Sequence, residues 1–390
     1  MRIAIATRSL QVVGGVETYL RWLIPALSER GHQVALLHEA AATEGAVLND
    51  GVPSNRVFRY EAPGDDGLRR LRRFDPEVVF VHNIQSTALE QALLDAWRCV
   101  LFAHDYRGTC ATGSKVHVSP SCTPCQRTLG VACLAINYVS GCGIRNPRTL
   151  ARHYRAQRTH QRLLDRYARI AVASRHMRGE LIRHGVEDAR LRVLPYPTLE
   201  FTPGDQAPSA RSMSGRLLFM GRLTRLKGVH LLLEALPLAE RMLERRLDLD
   251  VAGTGPEEGA LIAQAARLGD RVRFHGWVDS GKRALLQSAD LLVVPSTWPE
   301  PFGIVGPEAF CWGVPAVAFP RGGIQDWLLS GRSGEFARDE ASADALAEAI
   351  HRALRSETHH QALRLGAWRV AHNYGRTEHL EALELTLSSS

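Results

Sequence analysis

Short apolar runs alternate with longer segments of helical period along almost the whole chain. In the first half, the runs are of strand length, rich in Val, Ile, Leu and Ala, and show little polar alternation. Strands of this kind are buried on both faces, which is typical of parallel sheets covered by helices. The first-half runs are residues 3–7, 34–37, 78–82, 99–103, 170–173 and 191–194.

The second half repeats this alternation. Its strand-like runs are residues 217–220, 249–252, 272–275, 291–295 and 316–319. Segments of helical period lie between them, as one does over residues 17–30 in the first half. The second-half segments are residues 229–246, 257–268 and 282–288. We therefore expect two α/β units of similar size to follow one another.

A polar stretch over residues 202–214, rich in Pro, Gly, Ser and Ala, reads as a linker between these units. The predicted domains are residues 1–197 and residues 198–370. A last helical stretch is predicted over about residues 363–387. Its end, residues 371–390, is expected to cross back to the first domain.

The length of 390 residues fits two domains, each able to bury its own core. The apolar N-terminal run is interrupted at Arg8 and lacks the features of a signal peptide. No apolar run approaches the roughly 20 residues that cross a bilayer. We therefore expect a cytoplasmic protein whose cysteines are reduced.

The net charge of +7 is concentrated in arginines that recur between residues 145 and 169 at helical spacing. This stretch is interpreted either as a face for anionic lipid or a phosphorylated acceptor, or as a solvated helix surface. A peripheral position on the inner face of a membrane is the consequence of the first interpretation. Nucleic acid is not an expected partner, since no aromatic platform or zinc-finger spacing accompanies the charge.

A cysteine-rich segment follows the strand-like run at residues 99–103. Its Cys122-x-x-Cys125 spacing resembles half of a zinc site. Structural zinc bound by Cys110, Cys125, Cys133 and Cys142 is one interpretation; a redox-sensitive disulfide and packed free thiols are the others. No catalytic metal is expected, because no Asp-x-Asp pair ends a strand.

The strongest candidate chemistry lies in the segment Pro-Glu-Pro-Phe-Gly-Ile-Val-Gly-Pro-Glu, which runs from residue 299 to residue 308. It follows a predicted strand and leads into a helix, and ligands of open α/β sheets bind at that edge. The first N–H groups of the helix suit a phosphate. The carboxylates Glu300 and Glu308 suit the hydroxyls of a sugar ring and a ribose, although the helix dipole alone also favours an acid there.

A second candidate group follows the strand at residues 217–220. Arg222 and Lys227 lie in a glycine-bearing loop before a helix, where fixed cations stabilise a departing diphosphate without a metal. A surface salt bridge is the alternative. Gly253 and Gly255 follow the next strand, and Gly276 follows the one after it, so these glycines allow backbone to approach a base or ribose.

The first domain offers two weaker candidates. Gly14 and Gly15 link the first strand to the first helix, where they suit a phosphate or simply form a tight turn. They do not match the dinucleotide-binding fingerprint. His104 ends another strand and suits hydrogen bonding to a transferred sugar, although a lone histidine is more often structural.

Taken together, these motifs resemble family 4 of the retaining glycosyltransferases over nearly the whole chain. The resemblance implies the GT-B fold, in which two Rossmann-like, doubly wound parallel-sheet domains face each other across a cleft. The donor would be a nucleoside-diphosphate sugar held mainly by the second domain.

The resemblance also implies roles for single residues. The cations Arg222 and Lys227 would bind the diphosphate, and Glu308 and Glu300 would bind the ribose and the donor sugar. The backbone of Phe302, Gly303, Ile304 and Val305 would hold the distal phosphate. Gly15 would contact phosphate and His104 the transferred sugar.

The implied reaction is retaining, metal-independent transfer to a saccharide or lipid-linked acceptor, as in cell-surface polysaccharide synthesis. Attack would come from the front face, with the leaving phosphate accepting the proton of the acceptor. Two departures concern the acceptor: Leu194-Pro195-Tyr196-Pro197 stands where the family often has Pro-Asn-Gly, and the cysteine-rich segment is extra. A nucleotide-sugar 2-epimerase of the same fold and a non-catalytic scaffold are the alternatives.

Overall fold

The computed structural model describes residues 1–12, 14–40, 47–48, 51–62, 64–119, 122–199, 206–278 and 281–388. The chain divides into two compact units. Unit 1 comprises Met1–Ser114, Gln126–Leu199 and Arg376–Ser390, and unit 2 comprises Lys115–Cys125 and Glu200–Gly375. The units are therefore not continuous in sequence: unit 1 includes the C-terminal helix, and unit 2 includes the segment Lys115–Cys125, which the predicted domains placed in the first. The first four residues of the predicted linker, 202–205, lie outside the described residues.

Strands and helices alternate in both units. The strands are β1 (Arg2–Ser9), β2 (Gln33–Ala40), β3 (Val57–Arg59), β4 (Val78–His82), β5 (Cys99–Ala103), β6 (Val116–His117), β7 (Thr123–Pro124), β8 (Arg169–Val172), β9 (Leu191–Val193), β10 (Arg216–Met220), β11 (Asp248–Ala252), β12 (Val272–Gly276), β13 (Leu291–Val294), β14 (Ala316–Ala318) and β15 (Gly334–Phe336). The helices are α1 (Gly15–Glu29), α2 (Asp66–Phe74), α3 (Thr87–Ala96), α4 (Cys133–Val139), α5 (Pro147–Leu163), α6 (Arg175–Arg183), α7 (Val229–Leu243), α8 (Glu258–Ala265), α9 (Lys282–Ser288), α10 (Val305–Phe310), α11 (Ala343–Leu354), α12 (Glu357–Ala371) and α13 (Arg376–Ser388).

Unit 1 is built on a seven-stranded sheet in the order β3-β2-β1-β4-β5-β8-β9. All neighbouring strands in it are parallel. The central strand β1 pairs through Ile3 with both Val34 and Val78, and its inner residues are buried. The six strands predicted in this half are confirmed to within three residues at each end. The three-residue strand β3 escaped prediction because it is too short to show a period.

Unit 2 is built on a six-stranded parallel sheet in the order β12-β11-β10-β13-β14-β15. Helices α7 and α11 pack together over it, and their apolar residues belong to one core with strands β10, β11 and β13. The five strands predicted in this half are confirmed, whereas β15 was not predicted. The carboxyl ends of β10, β11 and β13 lie at one edge of the sheet, and the loops that follow them carry the candidate residues.

The helical stretch predicted over residues 363–387 consists of two helices. The chain forms α12 and α13 with a short 3-10 turn, His372–Tyr374, and Gly375 between them. Gly375 adopts extended backbone, which ends the helical hydrogen bonding. Helix α13 belongs to unit 1, where Glu384 forms an ion pair with Arg30.

Gly228 holds the loop of the candidate cations against the sheet. Its φ of 74° is left-handed, and a Cβ there would overlap the carbonyl oxygen of Pro295 at the end of β13. A side chain at this position therefore forces the loop after β10 away from the loop after β13. Gly228 couples two neighbouring strand ends.

We predict that Gly228→Ala lowers the free energy of unfolding by roughly 2 kcal/mol, through backbone strain and this overlap. Gly259→Ala is the matched control, because Gly259 is exposed in α8 with open space around it. The control should stabilise slightly, by about 0.5–1 kcal/mol. Urea unfolding followed by circular dichroism measures both. Equal stability of the two variants would contradict the assigned role of Gly228.

Candidate functional site

Lys227 and Glu300 meet at the carboxyl edge of the sheet of unit 2. Lys227 ends the 3-10 turn before α7, and Glu300 lies in the loop after β13. The Lys227 Nζ atom is 2.6 Å from Oε1 of Glu300, a buried carboxylate. The Ser296 hydroxyl donates to the same oxygen at 2.5 Å. The sequence candidates from two separate loops therefore form one charged pair.

The backbone around Glu300 is also fixed. Gly323 N–H donates to the Glu300 carbonyl at 2.7 Å. The Lys227 ammonium lies 5.3 Å from the centre of the Trp298 ring, within range of a cation–π contact. These contacts hold the carboxylate and the ammonium in a defined orientation at the strand ends.

Glu308 lies on the short helix α10 and is almost fully buried. The Lys282 Nζ atom is 2.9 Å from its Oε2. Lys282 is the first residue of α9, which precedes β13 in the chain. A second lysine–glutamate pair thus stands within the same unit, eight residues along the chain from the Glu300 carboxylate.

The start of α10 is shaped by Trp327. The indole Nε1 donates to the Phe302 carbonyl at 2.7 Å, and a Cβ at Gly306 would overlap the indole ring. Gly303, Ile304 and Val305 are partly exposed at this start. The N–H groups of a first helical turn have no partner within the helix and suit an anion. The role of this backbone in phosphate binding stays a prediction.

The candidate glycines of unit 2 have a packing role in the structure. A Cβ at Gly253 would overlap the Gly221 carbonyl, and one at Gly255 would overlap that of Leu223. These glycines therefore let the loop after β11 contact the loop after β10. Gly276, at φ 63°, has open space around its Cβ position and accepts a hydrogen bond from Gly253 N–H at 2.7 Å.

Arg222 lies in the loop after β10 that also carries Lys227, and its side chain is exposed. An exposed guanidinium keeps its rotamer freedom until an anion fixes it. Lys227 and Glu300 are therefore in direct contact. Arg222, five residues before Lys227 in the chain, is exposed at the surface. Donor binding by Arg222 and by the glycines of unit 2 stays a prediction.

In unit 1, Gly14 and Gly15 begin helix α1. Gly14 caps the helix with an extended backbone, and its carbonyl accepts from Thr18 N–H at 3.0 Å. Gly15 is exposed, with open space at its Cβ position. Burial raises the pKa of Glu17 in this first turn, although Arg8 opposes the shift. The proposed contact of Gly15 with phosphate stays a prediction.

His104 stands in a buried stack of rings in unit 1. Its ring packs against those of Phe102 and Tyr196, with centroids 4.4 Å and 5.8 Å away, and it is 7% exposed. Its Nδ1 is hydrogen-bonded to the Tyr196 hydroxyl, and its Nε2 shares a hydrogen with His82 Nδ1 at 2.7 Å. Both ring nitrogens thus have protein partners, so a sugar contact requires Tyr196 or His82 to give way. The contact stays a prediction.

His379 of helix α13 extends this group. Its Nδ1 donates to the Pro195 carbonyl at 2.7 Å, so its Nε2 accepts from the Tyr19 hydroxyl at 2.9 Å. Burial lowers the pKa of His82 to about 3 and that of His379 to about 4, and it lowers the pKa of His104 well below the usual value. These histidines are neutral near pH 7.

The structure adds no support to the zinc interpretation of the cysteine-rich segment. Across the described ranges, which include every cysteine of the chain, no three His, Cys, Asp or Glu side chains gather as metal ligands. Cys125 lies in the segment assigned to unit 2, whereas Cys110, Cys133 and Cys142 lie in unit 1. The three interpretations of these cysteines stay predictions.

Sequence reasoning missed Lys282 and Ser296. Lys282 begins a helix, where the dipole disfavours a cation, so its position conflicts with local preference. Composition holds a second signal, because only three of the 48 cationic residues are lysines. Two of these three, Lys227 and Lys282, pair with the two candidate glutamates. The small number of lysines relative to arginines is therefore the sequence signal that could have identified both pairs.

Two family models match the chain, one in each half. The model described as Glycosyl transferase 4-like domain matches residues 14–197, and the model described as Glycosyl transferases group 1 matches residues 205–367. The matched regions therefore account for most of the sequence.

Curated relatives match over part of their length. The chain is 36% identical over 191 residues to D-inositol 3-phosphate glycosyltransferase 2 of Catenulispora acidiphila, which covers 44% of each protein. The alignments with the first four relatives span less than half of the length of those relatives.

Two solved structures share the fold over the full length of both chains. Anabaena Alr3699/HepE in complex with UDP-glucose is 17% identical, with a TM-score of 0.70 and complete coverage of both chains. WaaG, a glycosyltransferase involved in lipopolysaccharide biosynthesis, is 17% identical, with a TM-score of 0.71 and complete coverage. The fold is therefore the predicted one, with two parallel-sheet α/β domains of the GT-B type.

The buried histidines predict a loss of stability in acid. Histidine in an unfolded chain has a pKa near 6.5, and the folded values are lower, so the unfolded chain binds more protons as the pH falls below about 6.5. The stabilisation is complete above that pH and is lost progressively towards pH 4. The amide of His379→Gln retains both hydrogen bonds but does not titrate. We expect this variant to reduce the slope of the unfolding free energy against pH by up to about 1.4 kcal/mol per pH unit.

Urea unfolding at a series of pH values measures this slope. His153→Gln is the control, because His153 is exposed on helix α5. The control should keep the pH dependence of the original chain. An identical slope in the His379 and His153 variants would contradict the prediction.

Proposed function

The chain belongs to the glycosyl transferases group 1, and on this premise we propose that it transfers a sugar from a nucleoside-diphosphate sugar to a hydroxylated acceptor. Configuration at the anomeric carbon is retained. The observation that carries the proposal is the Lys227–Glu300 pair at the carboxyl edge of the second sheet, 2.6 Å between Nζ and Oε1. Such a pair offers a cation for a diphosphate beside a carboxylate for sugar hydroxyls.

The charge of the leaving group determines the role of the cations. When the bond between the anomeric carbon and the diphosphate oxygen breaks, negative charge grows on that oxygen. Lys227 has three N–H donors, so it can keep its hydrogen bond to Glu300 and also donate to a phosphate. A preorganised cation in this position lowers the transition-state energy. Arg222 adds a second cation once the anion fixes its side chain. In this proposal, these side chains carry the task that a metal performs elsewhere.

Glu300 binds the transferred sugar in this proposal. Its carboxylate is held by Lys227 and by Ser296, so it is oriented as an acceptor of hydroxyl hydrogens. The acceptor hydroxyl attacks from the face that the diphosphate leaves, and its proton passes to the departing phosphate oxygen. No protein base is required, and configuration is retained.

The acceptor is proposed to be a saccharide or a lipid-linked saccharide. The names of the relatives support this class, since they describe inositol-phosphate, phosphatidylinositol and lipopolysaccharide acceptors or pathways. None of these names supports the 2-epimerase alternative. Incubation of the purified chain with labelled UDP- and GDP-sugars separates the functions. Transfer or slow hydrolysis supports a transferase, an epimerised sugar supports an epimerase, and no nucleotide binding leaves a scaffold.

We predict that Lys227→Ala lowers kcat for transfer or donor hydrolysis by about 100-fold, because the diphosphate loses a fixed cation. Arg225→Ala is the matched control: Arg225 is exposed in the same 3-10 turn, two residues away. The control removes an equal charge and should keep most of the activity. Circular dichroism melting checks that both variants are folded. Equal rates in the two variants would count against the assigned role.

A surface of unit 1 supports a peripheral membrane position. Arg148, Arg152, Arg155 and Arg162 are exposed along one face of helix α5. Helix α4 packs beside α5. Around α4, large apolar side chains are exposed: Val131 at 73%, Tyr138 at 51% and Val139 at 79%. We call these seven residues the basic–apolar surface.

The basic–apolar surface has the chemistry of an anionic bilayer contact. Arginines attract the headgroups, and exposed aliphatic and aromatic side chains enter the interface. Within the described residues, no helix has both the length and the apolar character of a membrane span. The proposed attachment is therefore through this surface, on the inner face of the membrane, where a lipid-linked acceptor would be presented.

We predict that the chain sediments with phosphatidylglycerol vesicles at about 0.05 M salt and is released at about 0.5 M. Replacing Arg152 and Arg155 by Ala should weaken partitioning roughly 30-fold, since each arginine contributes about 1 kcal/mol near an anionic surface. Replacing Arg241 and Arg267, exposed on unit 2, removes the same charge and should have little effect. Equal loss in both double variants would mean non-specific attraction.

A further inference from the structure

Lys282 contacts the carboxylate that the proposed function assigns to the ribose. Its Nζ is 2.9 Å from Glu308 Oε2, and the side chains of Lys282 and Glu308 are only 12% and 3% exposed. An ionised carboxylate at this depth is costly without a counter-charge and tends to take up a proton instead. Lys282 supplies that counter-charge.

The position of Lys282 has no explanation in local helix preference. It is the first residue of α9, where the helix dipole disfavours a cation. Its partner is 26 residues away in sequence, on helix α10. The pairing with Glu308 outweighs the local cost.

The choice of lysine is also informative. The chain has 45 arginines and three lysines, so arginine is its default cation. An arginine fork engages both oxygens of a carboxylate, whereas an ammonium is a point charge and here contacts Oε2. A lysine therefore orients the carboxylate with less competition for the hydroxyl groups of a ligand.

We propose that Lys282 is a positioning residue for nucleotide recognition: it holds Glu308 ionised and oriented so that the carboxylate binds the ribose hydroxyls of the donor. This inference rests on the proposed function. Lys282 acts through Glu308, as Ser296 and Lys227 act on Glu300. A charge-assisted hydrogen bond to a ribose hydroxyl is stronger than one to a neutral carboxyl group.

The test compares nucleotides that differ only in the ribose. Affinities for UDP, 2′-deoxy-UDP and 3′-deoxy-UDP, and for the same GDP series, are measured by isothermal titration calorimetry. With the original chain, loss of the bound hydroxyl should weaken binding of the preferred nucleotide about 10- to 100-fold, the value of a hydrogen bond to a charged group. Lys282→Met should reduce this ratio to within about threefold, and Glu308→Gln should do the same.

Two further variants make the result specific. Lys282→Arg restores the charge and should recover a large part of the ratio, which a purely structural role would not require. Arg283→Met removes the neighbouring cation, which is exposed and lies over the Trp312 ring, and should keep the ratio. Each ratio is measured within one variant, so a general loss of stability affects its numerator and denominator alike.

An unchanged ratio in Lys282→Met would overturn the proposal. A ratio lost equally in Arg283→Met would also overturn it, since the effect would then belong to the charge of the helix. Nucleotide binding by the original chain without discrimination between ribose and deoxyribose rejects this inference and leaves the transferase proposal standing. Failure of the original chain to bind any of the nucleotides would instead reject the proposed function.

Discussion

Buried carboxylates need counter-charges, and this requirement organises the carboxyl edge of the second sheet. Glu300 and Glu308 lie on either side of the start of α10, and each is held by a lysine from another segment, Lys227 or Lys282. Removing water from an acid costs several kcal/mol unless a partner replaces its hydration. The same pairs that meet this cost hold two carboxylates in fixed positions near the strand ends, where the proposed sugar donor would bind.

Close packing of backbone brings the loops of these residues together. Gly228 lies against the Pro295 carbonyl, and Gly253 lies against that of Gly221. The sequence suggested that these glycines allow the backbone to approach a nucleotide. In the structure they allow neighbouring loops to contact each other. Loop packing and nucleotide approach are compatible roles. Loops that contact each other through glycines bring their N–H groups and cations into one small region at the strand ends. The fold positions the chemistry through these contacts.

The strand and helix pattern was predictable because hydrophobic period is local. Strand β4 and helix α9 have the predicted bounds: a run of five buried residues defines β4, and α9 buries a single residue, Leu286, within a segment of helical period. The interactions that escaped prediction are non-local. Periodicity cannot reveal that Lys282 reaches Glu308 or that Tyr196 and His82 occupy the ring nitrogens of His104. The segment Lys115–Cys125 belongs to unit 2, although its neighbours in sequence belong to unit 1. Local sequence patterns do not predict which unit such a segment packs with.

The division of labour between the two cations follows from their chemistry. Arginine remains charged in any surroundings and suits the exposed face of α5, where several forks can meet phosphates in many orientations. Lysine is a compact point charge whose three donors can be shared between a carboxylate and an incoming anion. Arginine occupies 45 of the 48 cationic positions of the chain, yet the residues paired with Glu300 and Glu308 are lysines. At those two positions a single ammonium contact leaves part of each carboxylate open to a ligand, as the proposed donor binding requires. The scarcity of lysine therefore points to the same site as the geometry, by an independent route.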